Sequence, residues 1–264
     1  MDFARYVEEL LALRPPLPGG DPNLAVLERV GSTNSLAQRI AGEYEKEDER
    51  VPEALIVALE QTAGRGRQGR SWASPRGKGV YATLVHRVAP VAALPTLPLL
   101  AGVGLCRALG RYLPGRCRLK WPNDVRVGGR KLGGVLVESR LRAGSDEATA
   151  IIGFGVNLAH GRDDLPQGVG TSLALEGAPE ISLPALTWAV VESVTAELGD
   201  YGDVAAAVER YRAMSEHAPG DRLRLRAADG EVEGTFRGFD AQGRLRLEAG
   251  GKEMALAAGE VVEP

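Results

Sequence analysis

The hydropathy pattern of this chain changes period once, after Ala218, and does not change back. Beyond that point RLRLRA, EVEGTFRGFD, GRLRLEA and EMALAA alternate apolar and polar residues and are split by Asp-Gly and Gln-Gly turns. A period of two with such turns belongs to short antiparallel strands with one buried face. Before that point helical and strand periods are interleaved. The chain is therefore expected to hold a body of helices and strands over residues 1–216 and a small β-barrel over 217–264. The length of 264 residues agrees with one large and one small domain, since a domain averages about 150 residues. A chain of this size buries enough surface to fold without disulfide or metal staples.

Within the body, Phe3, Val7, Leu10 and Leu11 are spaced for a helix over 3–13, which PPLPGG ends. A strand is expected at 24–30. GSTN at 31–34 then offers a hydroxyl or amide cap to a helix running through Tyr44. EYEKEDER (43–50) reads as a solvated turn, and 54–61 as a buried strand. The stretch TAGRGRQGRSWASPRGKG (62–79) is too rich in glycine and arginine for regular structure. Strands follow at 79–86, 117–120, 124–127 and 149–157. KLGGVLVESR (131–140) is a strand interrupted by two glycines, which implies a close approach of backbone or ligand. An apolar helix covers 94–113, with Pro98 delaying its start. HGRDDLPQGVG (160–170) is a polar loop, and helices complete the body at 183–201 and 203–217.

The net charge of −3 and pI near 5.8 remove any argument for general binding to nucleic acid or anionic membranes. Cys106 and Cys117 are too few for a disulfide framework. His86, His160 and His217 are scattered, so no zinc spacing is present and no metal ligands are assigned. No run of about 18 apolar residues is read as a membrane span, and the acidic start lacks the features of a signal peptide. A cytoplasmic location follows as the expectation. Five of the 32 basic residues are lysine, and two of those, Lys120 and Lys131, fall in the segments that carry chemistry.

GRGRQGR (64–70) packs backbone N–H groups freed by glycine together with three guanidinium forks, which suits an anion. It has neither the Walker pattern nor the context of a dinucleotide fold. KWPND (120–124) holds a lysine at a strand end beside a polar turn. GFGVN (153–157) leaves room through its glycines and offers the amide of Asn157.

Taken in order, GSTN, Gln61, GRGRQGRSW, KWPND, RKLGGVLVE, GFGVN and TSL (171–173) make the chain resemble the biotin protein ligases, from about residue 24 to 215. The tail resembles their SH3-like C-terminal domain. The resemblance implies an α+β catalytic domain, a mixed β-sheet flanked by helices of the class II synthetase type. It implies activation of biotin with Mg²⁺-ATP to biotinyl-5′-AMP and transfer to one lysine of a biotin carboxyl carrier protein. In the implied site Ser32, Thr33, Asn34 and Gln61 bind the biotin head, with Gly133 and Gly134 beside it. Arg65, Gly66 and Arg67 cover biotin and phosphate, and Arg67 retains the adenylate. Lys120 contacts carboxyl or phosphate oxygens, and Lys120 and Arg67 are the catalytic pair. Trp72 stacks on adenine, Asn157 reads its edge, and Asn123 and Lys131 lie near the nucleotide. Asn123 or Asp124 is a candidate for Mg²⁺, while Arg76, Lys78 and Pro166 have no assigned role.

The segments 62–79 and 158–170 are expected to order only around ligand. The 31 residues before Ser32 hold five acids against three arginines, too few and too acidic for a DNA reader. A ligase without DNA or membrane partners is therefore expected, as a homodimer. The rival of the same fold is a lipoate or octanoate ligase or transferase. A rival of another class is a binding module that grips nucleic acid through the loop arginines, which the acidic pI disfavours.

Overall fold

The computed structural model describes residues 2–18, 20–227 and 230–262. Seven strands form the main sheet: β1 (Asn23–Leu27), β2 (Ala54–Ala58), β3 (Gly79–Val88), β4 (Cys117–Lys120), β5 (Asp124–Val127), β6 (Arg130–Leu141) and β7 (Ala148–Asn157). Their order is β1-β2-β3-β7-β6-β5-β4. The β1–β2 pair is parallel and the others are antiparallel, so the sheet is mixed.

Alternation along the strands sends side chains to two cores. On one face lie α1 (Phe3–Ala12), α3 (Leu97–Gly110), α4 (Leu183–Leu198) and α5 (Val204–Met214), over Leu55, Val57, Ile152 and Phe154. On the other, α2 (Thr33–Lys46) covers Ile56, Val85 and Ile151 with Ala37 and Ala41. The central helix α3 is buried almost all round. Gly104 lets the backbone of α4 come close, because a Cβ there would stand 2.7 Å from Ser193 O and Val194 Cα. Pro95 sits in a 3₁₀ turn, Val91–Thr96, and Pro98 in the first turn of α3, so the α-helix starts later than residue 94. The stretch Val91–Gly110 is, contrary to the sequence expectation, long and apolar enough to cross a membrane by length and composition. Two thirds of it is buried, which is the pattern of a core helix.

The second sheet holds β8 (Arg222–Ala227), β9 (Gly230–Phe239), β10 (Leu245–Ala249), β11 (Lys252–Leu256) and β12 (Glu260–Val262), in the order β11-β10-β9-β8-β12. All its pairs are antiparallel. Its apolar face joins the main core through Leu225, Phe236, Phe239 and Leu247, and the Phe239 ring meets Tyr211 of α5 edge-on at 5.4 Å. Arg–Glu pairs such as Arg226–Glu231 and Arg246–Glu253 cover the outer face. The three-residue β12 is too short to show an alternating run in the sequence.

Three other elements differ from expectation. The helix α2 continues through Lys46, because Arg140 and Lys46 pair with Glu45 and Glu43 and turn the charge run into a helical face. The glycines Gly133 and Gly134 do not interrupt β6, which pairs continuously with β7 from residue 133 to 141. Residues 64–72, read as irregular, form a narrow hairpin: Trp72 N donates to Gly64 O (2.8 Å) and Gly66 N to Arg70 O (2.7 Å), around a turn with Gln68 and Gly69 at positive φ. The loop 158–170 is likewise bonded at both ends, to Lys78 O and to the Lys131 backbone. Lys78 pairs with Asp164 (2.6 Å) and Arg76 with Glu28 (2.7 Å), which gives both residues a place.

Burial lowers the pKa of His86, His160 and His217 below the ordinary 6.5, and the nearby Glu53, Asp164 and Glu216 only partly oppose it. The folded protein holds these rings neutral while the unfolded chain protonates them, so stability is full above the unfolded value and falls with acid. Scanning calorimetry is expected to show a falling Tm from about pH 7 to about pH 5.5. A flat profile over that window contradicts this account.

Candidate active site

The main cleft, about 920 Å³ and open to solvent, lies over β3, β7, β6 and β5. It is walled by the start of α2, the 64–72 hairpin, the Lys120–Asp124 turn and Glu260 of β12. Ser32, Thr33, Asn34, Gln61, Arg65, Gly66, Arg67, Trp72, Lys120, Asn123, Lys131 and Gly134 all line it. Twelve of the fourteen residues named from sequence thus meet in one place, although they come from five separate motifs.

One end is a polar floor. Ser32 caps α2, its Oγ accepting from Ser35 N (3.4 Å). Gln61 Oε1 accepts from Thr33 N (2.9 Å) and lies 3.2 Å from Thr33 Oγ1, while Gln61 Nε2 donates to Ser74 Oγ (2.9 Å). Asn34 Nδ2 donates to Glu138 Oε2 (3.1 Å) and lies 3.3 Å from Leu136 O. Asn34 fits because its neighbour on β7 is Gly153, where a Cβ would collide with Oδ1. Glu138 also receives Arg65, Nη2 to Oε1 at 2.7 Å and Nη1 to Oε2 at 3.2 Å, and so ties the hairpin to β6.

The other end is cationic and aromatic. Trp72 lies over Gly155, where a Cβ would come within 2.6 Å of the indole. Lys131 Nζ stands 5.3 Å from the Trp72 ring centroid and 2.7 Å from Asp124. Arg67 donates from Nη1 to Asn123 Oδ1 and to Gly259 O, both at 3.2 Å. Burial lowers the Arg67 pKa from its ordinary value, against the opposing pull of Asp124 and Glu260. Arg70 forms a two-pronged pair with Glu260, whose pKa is held below the ordinary carboxylate value by that bond first. The cleft lining holds five basic side chains against Asp124 and Glu260, so it suits a polyanion. No group of three His, Cys, Asp or Glu that could hold a metal ion occurs among the described residues. The two carboxylates in the cleft are already engaged by Lys131 and Arg70.

Two expected residues do not reach the cleft. Gly133 alternates to the opposite face of β6 from Gly134, and a Cβ on it would meet Gly155 O at 2.9 Å and Leu105. Asn157 is buried, and its Nδ2 donates to Thr171 O (2.9 Å); its amide fastens the far end of the 158–170 loop. Conversely Glu138 and Glu260 have no role in the sequence reading, and Arg70 has one only as part of the positive charge of the loop arginines 65–70. Arg70 and Glu138 stood inside quoted motifs, but no sequence signal pairs residue 70 with residue 260.

Residues 26–157 match the Biotin/lipoate A/B protein ligase family, and residues 220–262 match the Biotin protein ligase C terminal domain. The chain is 33% identical over 247 residues to the bifunctional ligase/repressor BirA of Salmonella typhimurium, covering 90% of this chain and 73% of that one. It is 30% identical over 271 residues to the biotin–[acetyl-CoA-carboxylase] ligase of Mycobacterium tuberculosis, covering 95% and 97%. Its fold is similar to that of the biotin protein ligase from Aquifex aeolicus in complex with biotin and ATP, with a TM-score of 0.72 and 24% identity over 91% of this chain and 97% of that one.

Gly155→Ala is expected to push Trp72 off its seat and cost about 1–3 kcal/mol of stability, as overpacking does. The tryptophan emission of the folded variant should shift to the red. An unshifted spectrum would show that the indole does not rest on Gly155.

Proposed function

Because the chain belongs to the biotin/lipoate A/B protein ligase family, we infer that it is a biotin–[acetyl-CoA-carboxylase] ligase. It activates biotin with ATP to biotinyl-5′-AMP and transfers the biotinyl group to a lysine of a biotin carboxyl carrier protein. The observation that carries this is the single cleft with a hydrogen-bonding floor at one end and a cationic, aromatic wall at the other. A dithiolane or a bare acyl chain would bury the remaining acceptor lone pairs of Thr33 and Asn34 with no donor to meet them, which is costly. That disfavours the lipoate or octanoate reading.

In the first step a carboxylate oxygen of biotin attacks the α-phosphorus of ATP, and pyrophosphate leaves with the electrons of the broken P–O bond. Two anions must meet, so fixed positive charge is the main requirement. We assign that charge to Lys120 and Arg67 as the catalytic pair, with Arg65 and Gly66 closing over the ligand and Lys131 and Asn123 near the phosphates. Trp72 stacks on adenine. Ser32, Thr33, Asn34 and Gln61 hold the biotin head, while Gly134, placed beside the biotin head by the resemblance, instead leaves room beside Lys131 and Asp124. Gly133 and Asn157 act from behind, through strand packing and the 158–170 loop. Magnesium enters as part of the Mg-ATP substrate. In the second step the carrier's lysine amine attacks the acyl carbon, AMP leaves, and the amine proton is lost. Arg67, anchored on Asn123 and Gly259, keeps the anhydride in place until then. We also take 1–216 as the catalytic domain and 217–264 as an SH3-like domain, in a cytoplasmic homodimer that binds neither DNA nor membrane.

Pyrophosphate exchange into ATP should depend on biotin and fail with lipoate. Equal exchange with both acids contradicts the biotin assignment. Lys120→Arg keeps the charge but replaces a compact ammonium with a fork; it is expected to lower exchange by about 100-fold, and full activity would remove Lys120 from the catalytic pair. Arg67→Gly should release biotinyl-5′-AMP and label bystander proteins. Labelling confined to the carrier would refute its retaining role.

A further inference from the structure

The polar floor contains a buried hydroxyl that the assignments above do not use. Thr83, at the middle of β3, has no exposure to solvent. It pairs across the sheet with Gly153, and Asn34 packs into the space that glycine leaves. Thr83 Oγ1 lies 2.6 Å from Asn34 Oδ1 and 2.8 Å from Thr33 Oγ1. Thr33 Oγ1 in turn lies 3.2 Å from Gln61 Oε1.

Counting hydrogens fixes the polarity of this array. Asn34 Nδ2 faces two acceptors, the Glu138 carboxylate and Leu136 O, so the amide cannot be reversed and Oδ1 must face Thr83. An amide oxygen only accepts. The single hydrogen of Thr83 therefore goes to Asn34. The hydrogen of Thr33 then has two takers, Thr83 Oγ1 and Gln61 Oε1, and by either route it is used inside the floor. What remains on the cleft side is a pair of acceptors, a lone pair on Thr33 Oγ1 and one on Asn34 Oδ1. Ser32 differs: its Oγ accepts from Ser35 N and keeps its own hydrogen.

We propose that Thr83 is a positioning and specificity residue: its hydrogen holds Asn34 Oδ1 in place and its oxygen takes up the Thr33 hydrogen, so that both side chains offer acceptors to the cleft and the floor selects a ligand head presenting N–H donors. The ureido ring of biotin has two such N–H groups, and a dithiolane has none. This rests on the biotin reading and adds to it the residue that fixes the floor's polarity. Thr83 does not line the cleft, and it acts only through the two side chains that do.

The test is steady-state kinetics on Thr83→Val, which keeps the shape and removes the hydroxyl, with Thr83→Ala as a second variant and Thr83→Ser as the conservative one. The expected result is a KM for biotin raised at least about tenfold, the effect of one misdirected hydrogen bond, with kcat and the KM for ATP within about twofold. Thr83→Ser should restore the wild-type biotin KM, since it returns the same hydrogen. An unchanged biotin KM in folded Thr83→Val or Thr83→Ala, with wild type turning over biotin, overturns the proposal and leaves the ligase reading intact. Equal losses for biotin and ATP also overturn it, because that is the mark of general damage to the sheet. Wild-type protein that forms no adenylate from biotin overturns both.

Discussion

The site depends on two side chains that β7 lacks. Gly153 and Gly155 lie two apart on a central strand and so face the same way. Asn34 from α2 occupies the space over the first, and the Trp72 indole covers the second. A Cβ at either position would evict its occupant, and with it one end of the cleft. The motif GFGVN thus contributes to the site chiefly by what it leaves empty, and its Asn157 turns away to hold a loop.

With those two seats filled, the remaining parts are tied together by charge over long sequence distances. Glu138 on β6 receives both Arg65 and Asn34, which couples the hairpin to the polar floor. Glu260 on the last strand takes Arg70, and the carbonyl of Gly259 takes Arg67. The C-terminal sheet therefore helps shape the 64–72 hairpin in addition to packing against α5. A pair such as Arg70–Glu260 is half-exposed, so its contribution to stability is small; its value here is geometric, since it fixes where the hairpin lies.

The local part of this arrangement is legible in the sequence. The Ser32 cap, the strand end at Lys120 and the change of period after Ala218 each follow from short-range rules, and the structure has them where those rules put them. The strand expected to run to Gln61 instead stops at Ala58, and Gln61 makes only an isolated bridge to Val30. What the sequence hides is long-range or depends on strand phase. Gly133 and Gly134 look equivalent in a run, yet only one faces the cleft, because the register with β7 decides. Glu138 and Thr83 look like an ordinary acid and an ordinary strand threonine until folding brings them to Asn34, 104 and 49 residues away. The charge run 43–50 reads as a turn for a similar reason: the partner that makes its first half a helical face is Arg140, far along the chain.

The central claim is that one cleft joins biotin to the nucleotide. It is tested most directly by incubating the protein with Mg-ATP and biotin, removing free ligand by gel filtration, and measuring by mass what the protein retains. The account predicts biotinyl-5′-AMP, and no acyl adenylate when lipoate replaces biotin. Retention of neither compound, or a lipoyl adenylate in comparable yield, would contradict it.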